Sequence, residues 1–282
     1  MGLKIVACQT KRKNSSYHNF EDMLRLIDIS KKEYNPDIIC FPETFPFGFD
    51  TIQQLERRNL EEQIIKMSKE QKLNLVYGRI SEEKDLLYKS AIIINNGEIS
   101  RYDKRTRFGD EKYAFGSSSS GPLVLDINGY KIGFAICYDL LFPEVIREIV
   151  FNGANLVICQ SSVPKKMEDV WKSIVLTRTY ENHVPIVNVT DINEKHKTIG
   201  MTLITEPHFN VKSVANTREK EELVYSELEL EKFTKRRFKV SPNEKGSELF
   251  KKGEFGPFIM DLDQEILENI YKSFSIKKSN GK

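Results

Sequence analysis

The chain switches repeatedly between short apolar runs and longer amphipathic stretches, and this alternation limits the folds that it can adopt. Runs such as residues 4–9 and 155–160 have the length and composition of buried strands. Stretches such as residues 17–34 carry apolar side chains at helical spacing. Asn96-Gly97 and Asn128-Gly129 are typical of hairpin turns. The pattern predicts an α/β fold in which a mixed sheet, or a pair of sheets, is covered by helices.

The element boundaries follow from these runs and from the residues that end them. Strands are predicted at residues 4–9, 37–41, 73–79, 87–94, 99–103, 123–127, 130–137, 155–160, 185–189, 201–205 and 222–229. Helices are predicted at residues 17–34, 53–71, 145–152 and 168–182, with Ser15 or Ser16 capping the first. Residues 104–121 are predicted to form an irregular functional loop.

We expect one domain over residues 1–282, because no repeat or low-complexity linker divides the chain. From about residue 231 the charge density rises. Since charged segments bury little apolar surface, this part is expected to form an extended C-terminal tail.

The charge balance argues against a nucleic-acid partner. Forty-three basic and 41 acidic residues leave a formal charge of +2, so there is no strong overall field. The basic run Lys235-Arg236-Arg237 is interpreted as a solvated face. Residues 1–6 enter a strand pattern directly and do not resemble a secretory signal, and no stretch approaches the length of a membrane span. We expect a soluble cytoplasmic protein that binds neither nucleic acid nor a membrane.

The four cysteines, Cys8, Cys40, Cys137 and Cys159, lie in separate apolar runs and do not form a disulfide framework. They are expected to be reduced thiols. The sequence contains no C-x-x-C motif, and its four histidines show no ligand spacing. Neither a metal site nor a cofactor is expected.

Cys137 closes the apolar run 130–137 just before a predicted helix. A thiol at such a junction can stand out of the sheet with backbone N–H groups beside it, as a nucleophile requires. The alternative is a packing role, because free cysteine is among the most buried residue types.

Two other strand ends carry reactive side chains. Glu43 follows the apolar run 37–41 and a proline, and Lys104 ends the strand at residues 99–103. Each could be an ordinary surface charge. Because sheet edges gather strand ends into one crevice, a carboxylate, an ammonium and a thiol at three such ends indicate a shared site.

The order and spacing of these motifs resemble the Glu-Lys-Cys signatures of the nitrilase superfamily of carbon-nitrogen hydrolases. The resemblance covers nearly the whole chain. Its motifs are Val6-Ala7-Cys8-Gln9, Phe41-Pro42-Glu43, Tyr102-Asp103-Lys104, Cys137-Tyr138-Asp139, Phe142-Pro143-Glu144, Asn152-Gly153-Ala154-Asn155, Arg178-Thr179-Tyr180-Glu181-Asn182, Gly200-Met201-Thr202 and the strand from Glu222 to Glu229.

The resemblance implies a four-layer α-β-β-α sandwich that forms a homodimer or a higher homo-oligomer. It also implies that Cys137 attacks a carbonyl carbon, that Glu43 is the general base, and that Lys104 and the N–H of Tyr138 hold the oxyanion. Glu111 is the implied fourth catalytic residue, supporting Lys104 and substrate. The alternatives for this position are a solvated loop charge and Asp110.

Cys137-Tyr138-Asp139 resembles the amidase, omega-amidase and N-carbamoyl hydrolase branches, whereas nitrilases tend to have Trp-Glu after the cysteine. The expected substrate is a small amide that releases ammonia. Phe49, Phe108, Ser162 and Tyr138 are candidate substrate-binding residues; ordinary packing is the alternative for the first three. The sequence departs from these branches at Leu141 (often arginine), Lys89 (commonly asparagine) and Thr106-Arg107 (frequently His-Leu).

Other functions remain open at this point. An N-carbamoyl amino acid hydrolase or a nitrilase is the first alternative. A papain-like Cys-His pair involving His183 has no local signature around Cys137. A non-catalytic binding or assembly module on the same fold would not need the reactive residues that this chain has.

Overall fold

The computed structural model describes residues 2–48 and 54–237, and its elements largely follow the predicted alternation. The strands are β1 Leu3–Lys11, β2 Ile38–Cys40, β3 Pro46–Phe47, β4 Asn74–Glu83, β5 Leu86–Asn95, β6 Glu98–Asp103, β7 Val124–Ile127, β8 Tyr130–Ile136, β9 Leu156–Ser161, β10 Ile186–Ile192, β11 Leu203–Glu206, β12 Asn210–Val214 and β13 Glu222–Leu228. The helices are α1 Ser16–Tyr34, α2 Gln54–Gln71, α3 Glu111–Ala114, α4 Pro143–Phe151, α5 Glu168–Asn182 and α6 Leu230–Arg237.

The strands pair in the order β6-β5-β4-β2-β1-β10-β9-β8-β7, and β13 pairs with β1. Strand β1 is parallel to β2 over residues 5–7, but it meets β10 only at Thr10 and Lys11. The short contact between β1 and β10 divides the sheet into two halves. One half contains β1 to β6 with β13, and the other contains β7 to β12.

Three apolar clusters show that the two half-sheets lie between two layers of helices. In β1, alternate residues Leu3, Ile5 and Ala7 belong to a cluster shared with β8 and β9 of the other half. The intervening Val6 and Cys8 pack in a second cluster with α1 and α2. A third cluster joins the second half-sheet to α4 and α5. Because β1 is buried on both faces, its sequence is a continuous apolar run. The predicted α-β-β-α sandwich is confirmed.

The direction of the strands places several chain turns at one edge. Strands β8, β9, β10, β1 and β2 are neighbours in parallel, so their carboxyl ends share an edge of the sandwich. The residues that follow these ends include Cys137, Ser162 and Glu43. Topology therefore collects side chains that are far apart in sequence.

Local differences from the prediction have identifiable causes. Strand β8 ends one residue before Cys137, and the loop at 104–121 contains the short helix α3. The extended tail expected from about residue 231 is wrong at its beginning, where α6 forms. Leu230 is buried in the cluster between the sheets, and the Phe233 ring contacts His183, so this segment has apolar partners. The remainder of the tail lies outside the described residues.

Within the described residues, no helix combines the length and apolar character needed to cross a bilayer.

Candidate active site

Cys137 begins a sharp turn where β8 leaves the sheet. Its φ is 46°, a left-handed conformation that is uncommon for a residue other than glycine. Such backbone persists when the surroundings hold it in place. Here the 3-10 turn Cys137–Leu141 is held by Arg178, whose Nε donates to the Leu140 carbonyl and whose Nη2 donates to the Leu141 carbonyl, each at 2.9 Å. Residue 137 as a whole is half-buried, and the turn fixes the position of its thiol.

A buried carboxylate, Asp139, connects this turn to the segment after β6. Its Oδ2 accepts from the Ile136 N–H at 3.0 Å and from the Tyr102 hydroxyl at 2.8 Å. Its Oδ1 accepts from the backbone N–H of Arg105 at 3.2 Å and from the N–H and hydroxyl of Thr106 at 2.9 and 2.8 Å. One side chain thus positions both the thiol turn and the segment that carries Lys104.

Glu43 is fixed through its backbone. The guanidinium of Arg12 donates to the carbonyls of Glu43 and Thr44 at 2.6 Å each and pairs with Asp191 at 2.6 Å. Thr44 has a φ of 51°. On the opposite side, a Cβ on Gly78 would lie 2.2 Å from the Thr44 nitrogen, so only glycine leaves room for this bend.

Lys104 lies between two carboxylates. Its Nζ is 3.2 Å from Glu43 Oε1 and 2.9 Å from Glu111 Oε2. Glu111 opens α3, and its Oε2 also accepts from the Phe108 N–H at 2.8 Å. The competing Asp110 is exposed and makes no side-chain cap bond to α3. Glu111, and not Asp110, is therefore the residue that contacts Lys104, and its side chain is largely buried.

A second lysine shares the same carboxylates. Lys89 Nζ lies 3.0 Å from Glu43 Oε1 and 2.6 Å from Glu111 Oε1. Its backbone carbonyl accepts from the Lys104 N–H at 2.9 Å, so the two lysines stand side by side on β5 and at the end of β6. Lys89 was not among the predicted site residues. The one indication in the sequence was that lysine stands at position 89, where asparagine is common in the related branches.

These charges determine the protonation of the site. Burial raises the pKa of Glu43, but Lys104 and then Lys89 outweigh it and lower that pKa to about 2. Burial lowers the pKa of Lys104, but Glu43, Cys137 and Glu111 raise it above its ordinary value. Burial and then Glu43 raise the pKa of Cys137, against the effect of Lys104. The resting site therefore contains a neutral thiol, a carboxylate and two ammonium groups.

An open cleft of about 600 Å³ reaches the charged cluster from solvent. Glu43, Lys89 and Ser162 lie where the cleft meets this cluster. The Ser162 carbonyl is 3.8 Å from the sulfur of Cys137. The other lining residues are Arg12, Lys13, Asn14, Ser16, Asn19, Thr44, Gly48, Asn193, Lys195 and His196. Cys137 is not among the described lining residues, so the cleft comes near the thiol through Ser162 and Glu43.

The remaining substrate candidates differ in placement. The Tyr138 ring packs edge-on against Phe108, with ring centroids 5.2 Å apart, and against Phe142 at 5.3 Å. Phe108 is 55% exposed, and neither it nor Tyr138 is among the described residues that line the cleft. Phe49 lies outside the described residues. At the positions of departure, Thr106 binds Asp139 and the Leu141 carbonyl binds Arg178, so both have structural partners.

The structure does not support a Cys-His pair. His183 is buried at the C-terminal end of α5, and its ring contacts those of His208 and Phe233. The charged groups that act on the Cys137 thiol are Glu43, Lys104 and Lys89.

The sandwich and the edge site define the class of carbon-nitrogen hydrolases in the nitrilase superfamily. A family model described as carbon-nitrogen hydrolase matches residues 4–238, and the chain belongs to this family.

Comparisons with individual proteins agree with this membership. A nitrilase from Pyrococcus abyssi (strain GE5 / Orsay) is 27% identical over 229 residues, which cover 75% of this chain and 84% of that protein. A 2-oxoglutaramate amidase from Bacillus subtilis (strain 168) is 27% identical over 214 residues, covering 72% and 82%. An amidase from Nesterenkonia sp. AN1, solved with acrylamide, superimposes with a TM-score of 0.74 and 18% identity over 89% of this chain and 97% of that chain. At 18% identity, the similarity to the Nesterenkonia amidase shows a shared fold.

Proposed function

We propose that this hydrolase cleaves the carbon-nitrogen bond of a small, non-peptide amide through a thioester on Cys137 and releases ammonia. The observation that carries the proposal is the position of Lys104. Its ammonium bridges the carboxylates of Glu43 and Glu111 beside a thiol at the start of a strained turn.

In the first half-reaction, Glu43 accepts the proton of the thiol as the sulfur attacks the amide carbon. Lys104 and the N–H of Tyr138 stabilise the negative oxygen of the tetrahedral intermediate. The carbon-nitrogen bond then breaks, and the nitrogen leaves as ammonia with the proton from Glu43. In the second half-reaction, Glu43 deprotonates a water that attacks the thioester, and the carboxylic acid leaves as the sulfur regains its proton.

The electrostatics support this division of roles. In the resting site, proton transfer from the thiol to Glu43 is unfavourable, because the thiol pKa is raised and the Glu43 pKa is lowered. When the Lys104 ammonium interacts with the oxyanion, it stabilises the Glu43 carboxylate less. The pKa of Glu43 then rises, and Glu43 becomes a stronger base. Proton transfer is thereby coupled to bond formation with the substrate.

The residues after the cysteine favour an amide over a nitrile. Tyr138-Asp139 resembles the amidase and N-carbamoyl hydrolase branches, and Asp139 has a structural role in this chain that includes five hydrogen bonds. The relatives include both a nitrilase and an amidase. An N-carbamoyl amino acid hydrolase or a nitrilase is therefore the second candidate.

The test measures ammonia release from short amides, nitriles and N-carbamoyl amino acids with the wild type, Cys137→Ala and Glu43→Gln. The proposal is supported if the wild type turns over amides and both substitutions abolish that turnover. Circular dichroism must show that the variants keep the fold. Equal turnover by Cys137→Ala would remove the nucleophile assignment, and equal turnover by Glu43→Gln would remove the base. A folded wild type that binds amides without turnover would favour the non-catalytic module.

Self-association and location stay predictions. A homodimer or higher homo-oligomer is expected from the resemblance, and sedimentation equilibrium of the full chain distinguishes it from a monomer. The expected cytoplasmic location is tested by cell fractionation.

A further inference from the structure

Lys89 is built into the active site and does not behave as a surface lysine. Its side chain is 15% exposed, and its Nζ contacts Glu43 at 3.0 Å and Glu111 at 2.6 Å. The Phe115 ring covers the ammonium at 5.7 Å. Burial and the charge of Lys104 lower the pKa of Lys89, but Glu43 and then Glu111 outweigh them and raise it. The side chain is therefore a permanent positive charge beside both carboxylates.

The positive charge of Lys89 changes the net charge of the site. Glu43, Glu111 and Lys104 alone sum to one negative charge, whereas the four groups together are neutral. An asparagine at position 89 could donate hydrogen bonds to the same carboxylates without changing the charge. The difference matters because an uncompensated negative charge in a half-buried site repels a second negative charge brought within a few ångströms.

The cleft extends the same positive character toward solvent. Lys89 faces the cleft, and Lys195 lines it from the loop after β10. Arg12 and Lys13 also line it, although Asp191 and Asp22 pair with them. Of the lining residues in the described part of the chain, Glu43 is the one that carries a carboxylate. A cleft with an excess of one charge raises the local concentration of ligands of the opposite charge.

We propose that Lys89 is a specificity-determining residue that lets the site accept an amide whose acyl group carries a negative charge. The substrate class is then the monoamide of an acid with a second anionic group. This inference rests on the proposed function, because it assumes that the acyl group binds at Cys137.

Alkylation of Cys137 tests the inference without requiring a known substrate. Iodoacetate and iodoacetamide react alike: the sulfur forms a bond to the methylene carbon, iodide leaves with its electron pair, and the thiol proton passes to Glu43 or solvent. The two reagents have similar size and differ by one negative charge. Mass spectrometry of the Cys137 peptide gives both rates, and their ratio cancels any change in the intrinsic reactivity of the thiol.

The variants are Lys89→Asn, Lys89→Arg and Lys66→Asn. Lys66 lies on α2 with 77% of its side chain exposed, so Lys66→Asn changes the net charge equally but away from the site. We expect Lys89→Asn to lower the iodoacetate-to-iodoacetamide ratio roughly tenfold, while Lys89→Arg and Lys66→Asn stay within about twofold of wild type. A Lys89→Asn ratio within about twofold of wild type overturns the inference.

The wild type supplies a second test if Lys89→Asn does not fold. Its ratio should equal or exceed that of N-acetylcysteine amide, a free thiol. A ratio roughly tenfold below the free thiol would show that the site repels anions, which overturns the inference. If Cys137 is alkylated rapidly but Lys89→Asn keeps the wild-type ratio, the role of Lys89 fails while the proposed nucleophile stands. If neither reagent modifies Cys137 while the protein is folded, the proposed nucleophile fails as well.

Discussion

Asp139→Asn is the substitution that most directly tests how the thiol turn is held. In the structure, the two carboxylate oxygens accept hydrogen bonds from five donors and oppose no acceptor. Asparagine has nearly the same shape but replaces one acceptor oxygen with an NH₂ group. The best orientation keeps its oxygen toward Arg105 and Thr106 and turns the NH₂ toward Tyr102 and Ile136.

The consequences differ for these two partners. The Tyr102 hydroxyl can rotate and accept a hydrogen bond, but the Ile136 N–H cannot, so a buried donor is left unpaired at a cost of about 1–3 kcal/mol. The three bonds that remain lose the charge of the acceptor, which removes part of their strength. We expect Asp139→Asn to lower the free energy of unfolding by about 2–4 kcal/mol. Cys137 should also react more slowly with iodoacetamide, because its turn loses an anchor one residue before the thiol.

The assay is urea unfolding at neutral pH together with the alkylation rate of Cys137 below the unfolding transition. Tyr102→Phe is the matched control, since it removes one of the five hydrogen bonds and leaves the Ile136 N–H paired. Its expected loss is about 1–2 kcal/mol, with a smaller effect on the alkylation rate. If Asp139→Asn unfolds within about 0.5 kcal/mol of wild type and reacts at the same rate, Asp139 does not hold the turn.

Four further predictions concern the other parts of the site. Gly78→Ala should shift the backbone at Thr44, because the new Cβ would lie 2.2 Å from the Thr44 nitrogen. We expect a large loss of kcat and a smaller loss of thermal stability. An equally active variant would show that this contact does not position Glu43. Because the pKa of Glu43 is lowered to about 2, the carboxylate should persist through the ordinary glutamate range near about 4.3, and kcat/KM should show no loss there in folded protein. The same shift stabilises the fold above that range and is lost as the pH falls toward about 2, which acid titration of stability would reveal. Finally, Cys137 should be alkylated before Cys8, Cys40 and Cys159, which are fully buried; peptide mapping that finds another cysteine modified first would contradict this.

Much of the fold could be predicted from the sequence because it depends on local patterns. The apolar run of β1 follows from burial on both faces, and α1 begins after Ser15, whose hydroxyl accepts from the His18 N–H. The strand ends before Glu43 and Lys104 were also predicted within a few residues. Local composition did not predict α6, because Leu230 is stabilised by a cluster between the sheets that no local pattern describes.

The sequence by itself determined most of the strands, the four long helices and the strand ends that carry Glu43, Lys104 and Cys137, because periodicity and turn residues act over a few positions. Tertiary structure alone decided which charges meet. Lys89 reaches Glu43 across 46 residues, and Arg12 reaches Asp191 across 179. Such pairs depend on strand order and register, which bring distant backbone segments to one edge of the sandwich. For the same reason, the second lysine of the site became visible only in the fold.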